Sequence, residues 1–399
     1  MRRCIISNIN CKIKKFLNFQ QFPLANFPVE NNKFLFFLRK KKYENKKKLI
    51  ITKCDKCNYL GLEKRANYKI LDNIYSKFYK YSSAMLNDFI PSRDNFFLEY
   101  IFKKLNFNKL NNVLEIGCFD GYILYNLKKK FPHLNVVGCE PSIGADIANK
   151  FNLNVKKKFF NKKIFNGKKF DVVIVRHTLE HIYNLRKIFE DIKSIMHENS
   201  IFAIEVPNIN YFLKKGLLEV FSFQHIHYFS SNTFINLSKK YNLQLIDITK
   251  TPENLIVLLK KNYQFTKLKP SKFKNYVSNF KKTFKNNQIR LNKIISSYAH
   301  KDICYWGAGG FSIAAINLYK IPFNKKSMLV DKDPKKHGLS IGDNITIEKI
   351  TKNKIKKKKL IVITSYYTQQ IYNEIKKLKI NIDILKIFPE IKLVKILQK

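Results

Sequence analysis

Apolar and polar positions along the chain fall into three successive patterns. Residues 1–62 hold short apolar runs, four cysteines and a proline-bearing turn, QFPLANFPV around Pro23. From about residue 66 to 262, compact apolar runs alternate with amphipathic stretches. They are VLEI at 113–116, YILYNLKKKF, LNVVGCE at 134–140, GADIANKF, FDVVIVRH at 170–177, a helical stretch reaching His197, and SIFAIEVPN at 200–208. The compact runs predict strands and the 3.6-period stretches predict helices, and their alternation predicts βαβ units with a parallel sheet covered on both faces. Residues 263–298 are lysine-rich and broadly helical in period, which predicts a connecting helix. The alternation then resumes with DICYWGAGG, helix FSIAAINLY, strand SMLVDKD and strand LIVITS at 360–365, and no shorter repeat is visible. The predicted organisation is α/β: a small module at 1–65, a central doubly wound domain at 66–262, the connecting helix at 263–298, and a second doubly wound domain at 299–399.

Composition changes this picture little. With 45% hydrophobic and 14% aromatic residues against 26% charged, the chain can bury real cores, which excludes a wholly disordered protein. The net charge of +47 first suggests nucleic acid. Only eight of the 76 basic residues are arginine, however, and arginine is the residue that grips phosphates and bases bidentately. Lys, Asn, Ile, Phe and Tyr are abundant together, as A/T-rich coding produces whatever the function, so no nucleic-acid partner is predicted. Apolar runs such as 34–38 are far too short to span a bilayer, and the basic N-terminus lacks an apolar core and cleavage site for secretion. A cytoplasmic protein without membrane contact is the expectation. Seven cysteines, an odd number, sit partly in C-x-x-C and partly in predicted strands, which in a reducing compartment points to metal or burial.

The first candidate chemistry lies where strand 113–116 runs into Gly117-Cys118-Phe119-Asp120-Gly121 and a helix. A tight turn there aims the helix's first N–H groups outward, where a carboxylate or phosphate can sit. The next strand ends in Glu140, about twenty residues on, the place from which an acid accepts ribose hydroxyls. A nucleoside ligand follows. Dinucleotide loops need G-x-G-x-x-G so that backbone can meet a pyrophosphate; here Phe119 stands at the middle glycine and Asp120 would repel phosphate. S-adenosylmethionine carries no phosphate. Its ammonium suits Glu115 and Asp120, its carboxylate suits the free N–H groups and its ribose suits Glu140. Glu115, Gly117, Asp120, Gly121 and Glu140 are the predicted cofactor residues. HTLEHI at 177–182 follows the next apolar strand, on the floor of such a site, and places His181 where it can face a substrate. The plain alternatives for these residues are turn-forming glycines, a surface acid and a solvated histidine.

Taken together, the segments resemble the sugar C-methyltransferases of deoxysugar pathways, which methylate a ring carbon of a nucleotide-linked 4-keto sugar. The resemblance runs over nearly the whole chain: FPLAN (22–26), KCDKC (53–57), VLEIGCFDGYIL (113–124), GCEPS (138–142), TLEH (178–181), EVPN (205–208), HIHYFS (225–230), YWGAGG and VDKDPKKHG (330–338). It implies a zinc-binding N-terminal domain, a central class I Rossmann-like S-adenosylmethionine domain and a Rossmann-like C-terminal domain that helps hold the sugar nucleotide. Matched zinc ligands are Cys4, Cys54 and Cys57. The remaining family cysteine is Ser7 here, a poor ligand; Cys11 is the candidate for the fourth thiolate, with a weaker three-cysteine site or no ion as the alternatives.

The family's Tyr-His-Glu-His is replaced by Ser222-Phe223-Gln224-His225, followed by Ile226, His227 and Tyr228-Phe229-Ser230. Its later His-Gly-Gly-Ser is Thr251-Pro252-Glu253-Asn254. By the resemblance His225 is the base that removes a C–H proton beside a ketone, with His181 near the reacting carbon or keto oxygen. Tyr79 or Tyr81 of FYKYSS is the hydrogen-bond donor to that oxygen. Gln224 cannot stabilise an imidazolium by charge, so His225 is a weaker base unless His227 compensates at the substrate. In the last domain Gly307 and Gly309 are expected beside the substrate, although GAGG before a strand ending in Asp331 would also suit a nicotinamide cofactor or a plain turn. The expected partner is a nucleotide-linked sugar, and the expected state is a monomer or weak oligomer. O-methylation of a sugar or polysaccharide precursor, which needs less activation, is the nearest competing reading. An inactive sugar-nucleotide-binding protein and a nucleic-acid binder with clustered basic residues complete the set.

Overall fold

A computed structural model describes residues 2–6, 10–25, 27–63, 73–74, 76–78, 83–86, 92–251, 253–262, 274–323, 326–341 and 345–395. Short strands β1 (Arg2–Arg3) and β2 (Asn10–Cys11) pair with each other. Strands β3 (Ile13–Pro23), β4 (Lys46–Cys54) and β5 (Leu60–Leu62) then form an antiparallel sheet. Helix α1 (Asn31–Lys40) turns Phe34 and Leu38 inward, four residues apart on one face, while Phe36 stays exposed. The sheet is not self-contained. Residues 227–228, from the middle of the chain, add its fourth strand beside β5, with His227 opposite Gly61 and Tyr228 opposite Leu60.

The central sheet follows the predicted alternation. After helix α2 (Ser92–Lys104) come β6 (Asn112–Ile116), α3 (Tyr122–Lys130), β7 (Asn135–Cys139), α4 (Gly144–Lys150), β8 (Asn154–Lys156), β9 (Phe170–Arg176), α5 (Leu185–Ser194) and β10 (Met196–Pro207). These strands are parallel, in the order β8-β7-β6-β9-β10. β10 starts at Met196, so the helix predicted to reach His197 ends at Ser194, and His197 bonds Asp171 Oδ1 at 2.7 Å from within the strand. Helix α6 (Ile209–Lys215), β11 (His227–Tyr228) and α7 (Ser231–Lys240) follow, and a hairpin that the alternation did not announce closes the sheet: β12 (Gln244–Lys250) and β13 (Asn254–Lys260), with β13 antiparallel between β10 and β12. In β13, Leu255, Val257 and Leu259 enter one core and Ile256 and Leu258 the other, the two-residue period of a strand covered on both faces.

Helix α8 (Lys274–Ser296) occupies the described part of the predicted connector, but it is more than a connector. Phe280, Leu291 and Ile295 are fully buried in one core with Phe22 and Leu49 of the first sheet, Ile209, Phe212 and Phe221 of the central region, and Tyr305 and Ala314 of the last domain. The last domain comprises β14 (Ile303–Trp306), α9 (Gly310–Leu318), β15 (Met328–Asp331), β16 (Ser340–Ile341), β17 (Ile345–Lys349), β18 (Leu360–Ile363), α10 (Thr368–Lys377), β19 (Asp383–Lys386) and β20 (Lys392–Val394). Its sheet order is β16-β17-β15-β14-β18-β19-β20, parallel in the middle five and antiparallel at both edges. No helix among the described residues is long and apolar enough to cross a membrane.

Candidate active site

The carboxyl ends of β6, β7, β9 and β10 lie side by side, because Ile116 is in register with both Cys139 and Val175, and the loops leaving them share one crevice. Gly117 and Gly121 take φ of +73° and +77°, where an L side chain is strained. Contacts impose glycine as well: a Cβ on Gly117 would strike the Thr178 side chain, and one on Gly121 would press into Leu153 and Ala148. The Gly117 contact sets the glycine loop directly against the segment that carries His181.

The three predicted acids sit together but do different things. Glu140 accepts from Ser142 N at 2.9 Å and from Phe119 N at 3.2 Å, and burial raises its pKa. Glu115 is 3% exposed, and burial pushes its carboxyl up to about 8 against the pull of Arg176. Its Oε2 has no hydrogen-bond partner among the described residues. Asp120 departs from expectation. Its Oδ2 accepts from Ser83 Oγ at 2.8 Å and Met85 N at 3.1 Å, and its Oδ1 from Tyr122 N at 3.2 Å. The carboxylate predicted to face a cofactor ammonium instead fastens segment 83–86 over the loop and caps the start of α3. Arg176, which the sequence reading passed over, reaches Glu205 at 2.8 Å and Asp94 at 2.7 Å and stacks 4.5 Å from the centre of Phe97. An arginine closing the apolar run VVIV of β9 was the sign of it.

Beyond β9 two imidazoles meet. His181 bonds Gln224 O through Nδ1 at 2.8 Å, and His225 bonds Val220 O through Nδ1 at 2.6 Å. A carbonyl only accepts, so each Nδ1 carries the proton and each Nε2 keeps a lone pair. The rings lie 4.8 Å apart at 66°. Ligand atoms of Glu180, His181 and His225 all lie within 4.8 Å of one another. Burial keeps both rings neutral, pushing His225 down to about 4 and His181 well below the usual histidine range. Glu180 was not singled out from the sequence, although it is the residue next to His181.

Gln224 points away from this pair: its Nε2 donates to Leu24 O in the N-terminal module. His227 is 1% exposed, with Nδ1 bonded to Tyr59 Oη and Nε2 donating to Ile182 O at 2.9 Å. The ring expected to meet substrate is therefore built into the scaffold. Tyr79, Tyr81 and Ser7 lie outside the described residues. Sγ atoms of Cys4, Cys11 and Cys54 lie within 4.8 Å of one another, and Cys57 Sγ is 3.4 Å from Cys4 Sγ. In the last domain Gly307 has φ +112° and backs onto Thr364 and Ser365, a packing requirement, whereas a Cβ on Gly309 would meet nothing within 4 Å. Asp331 accepts from Ala308 N at 2.7 Å and from Lys336 Nζ at 3.0 Å, so it is committed to its own loop.

Residues 93–248, from α2 through β12, match a family of proteins described as having a methyltransferase domain. The matched segment spans the glycine turn, Glu115, Glu140 and the His181–His225 pair. No curated protein sequence matches the chain. Among solved structures, an S-adenosylmethionine-dependent methyltransferase from Clostridium acetobutylicum ATCC 824 is 16% identical, with 49% of this chain and 99% of that one covered and a TM-score of 0.36. The plantazolicin methyltransferase BpumL bound to SAH is 18% identical, covering 42% of this chain and 82% of that one at a TM-score of 0.34. An O-methyltransferase family protein from Burkholderia thailandensis is 11% identical at a TM-score of 0.34, and the match covers 43% of this chain and 59% of that one. Residues of the matched segment fit S-adenosylmethionine as a cofactor. Glu115 offers a buried carboxylate oxygen without a hydrogen-bond partner among the described residues, suited to an ammonium.

Proposed function

We propose that the protein transfers a methyl group from S-adenosylmethionine to the carbon beside a ketone on a nucleotide-linked deoxysugar. The observation that carries this reading is the pair of neutral imidazoles, each held by a backbone carbonyl at Nδ1 so that its lone pair is on Nε2, beside the glycine loop. Glu115, Gly117, Gly121 and Glu140 hold the cofactor, with Asp120 closing segment 83–86 over it. Bound there, S-adenosylmethionine supplies an electrophilic methyl group. His225 Nε2 takes the proton from the C–H next to the ketone. The imidazolium that results is stabilised by the Glu180 carboxylate, which supplies the charge that Gln224 lacks. Tyr79 or Tyr81 is assigned the hydrogen bond to the developing oxyanion. The loops at Gly307 and Gly309 are assigned to the nucleotide end of the substrate.

Zinc belongs to the same proposal as a structural ion held by Cys4, Cys11, Cys54 and Cys57. Tetrahedral zinc with Zn–S bonds of about 2.3 Å places its sulfurs roughly 3.8 Å apart. The spacings here, 3.4 Å between Cys4 and Cys57 and within 4.8 Å among Cys4, Cys11 and Cys54, suit that donor set after small adjustment. The ion would fasten the N-terminal sheet and take no part in the chemistry.

His225→Ala should lower methyl transfer by on the order of a hundredfold or more while S-adenosylhomocysteine binding holds. The assay follows labelled methyl transfer to a panel of nucleotide-linked keto sugars. Unchanged turnover removes His225 from the reaction. Loss of deuterium from the substrate carbon before methylation supports carbon as the acceptor; retention in an active enzyme moves the assignment to oxygen.

A further inference from the structure

We propose that Tyr59 is a positioning residue which, through His227, fixes the orientation of His225; the inference rests on the catalytic reading of His225 given above. Tyr59 stands two residues after Cys57 and is 8% exposed. Its carbonyl accepts the N–H of Cys54 at 2.9 Å, closing the C-x-x-C turn, and its hydroxyl bonds His227 Nδ1. Gly61 makes room for it: a Cβ there would lie 2.7 Å from the Tyr59 hydroxyl. His227, two residues beyond His225, passes the contact on by donating from Nε2 to Ile182 O at 2.9 Å, next to His181.

The strand that follows His225 is thus gripped from both sides. On one side Leu62 N donates to Ile226 O at 3.0 Å, and His227 pairs with Gly61. On the other, Ile226 N donates to Glu180 O at 2.8 Å. Ile182 O only accepts, so Nε2 carries the His227 proton and Nδ1 keeps the lone pair to which the Tyr59 hydroxyl donates. Without the hydroxyl the buried Nδ1 loses that donor, and the ring shifts to recover one. The shift is passed to the backbone on which His227 and His225 stand two residues apart. Displacement of a reacting group by about 1 Å is enough to cost a hundredfold in rate.

The test is Tyr59→Phe, which removes one oxygen and keeps the ring packed over Gly61. kcat should fall about tenfold, with KM for S-adenosylmethionine and melting temperature nearly unchanged. The double variant Y59F/H225A should be no slower than H225A, because the hydroxyl acts through His225. An unchanged kcat, or losses that multiply in the double variant, overturns the proposal. Imidazole nitrogen NMR of the full chain tests it without substrate. His225 should show a single Nδ1-protonated form in the parent and a shifted or broadened signal in Y59F, and an unmoved signal overturns the proposal. A moved signal alongside an H225A variant of full activity instead overturns the catalytic reading and leaves the positioning intact. If Y59F does not fold, His227→Gln, whose amide keeps a donor and an acceptor, takes its place with the same expected and overturning results.

Discussion

Single residues carry the chemistry here through what surrounds them. Glu115 is the clearest case, since its carboxyl is raised to about 8 by burial. In the free protein it is protonated near pH 6 and ionises as pH rises through 8, and only the ionised form attracts an ammonium. Affinity for S-adenosylhomocysteine should therefore tighten from pH 6 to 8, with proton release on binding at the low end. Glu115→Gln should bind more weakly and lose this pH dependence; calorimetry in buffers of different ionisation enthalpy checks both. The unliganded fold has the opposite trend. A carboxyl raised in the folded state contributes its stability fully below the unfolded value near 4.5, and that contribution is lost as pH rises through 8. Glu219, also raised to about 8 by burial under Tyr319, adds to the same loss. The placement of Glu115 and Glu140 at the carboxyl ends of neighbouring strands could be read from sequence, because each follows directly on a compact apolar run. The engagement of Asp120 could not, because Ser83 and Met85 lie more than thirty positions away and only folding brings them to it.

At the scale of elements, what matters is which strand ends meet. The glycine turn was legible because positive φ and close packing at Gly117 and Gly121 admit little else. The predicted strand 170–177 held apart from its last residue, with β9 ending at Arg176 and His177 beginning the loop at φ +45°. The cysteine turn is a different matter: Cys4, Cys11 and the C-x-x-C pair converge only because β1 pairs with β2 and β3 pairs with β4, bringing Ile13 opposite Cys54. If zinc holds that convergence, the purified protein should contain about one zinc per chain. Chelation or Cys11→Ser should lower its melting temperature by several degrees and weaken the Tyr59–His227 contact. Atomic emission and a thermal melt check this, and a metal-free protein with an unchanged melt on chelator removes zinc from the account.

The whole molecule is less divisible than its pattern suggests. Apolar positions announced three blocks, yet α6, the 217–223 segment and α8 share one core with the first sheet and the last domain. A chain trimmed to residues 93–262 would expose Ile209, Phe212, Leu217, Phe221 and Phe223 together. That fragment should bind a hydrophobic dye and melt without a cooperative transition, whereas the full chain should not bind the dye; a cooperative fragment melt would show that segment to be autonomous.

The net charge of +47 shaped none of this, since the lysines are spread over exposed faces while the site rests on buried acids and imidazoles. By itself the sequence determined the alternation of strands and helices and the glycine turn, because each depends on near neighbours and on a backbone angle at one place. Only the tertiary structure decided that Asp120 fastens a distant segment, that His227 belongs to the scaffold and that Glu180 joins the two histidines. Those assignments depend on which donors and acceptors the packed core brings within about 3 Å of one another, and spacing along the chain does not encode that.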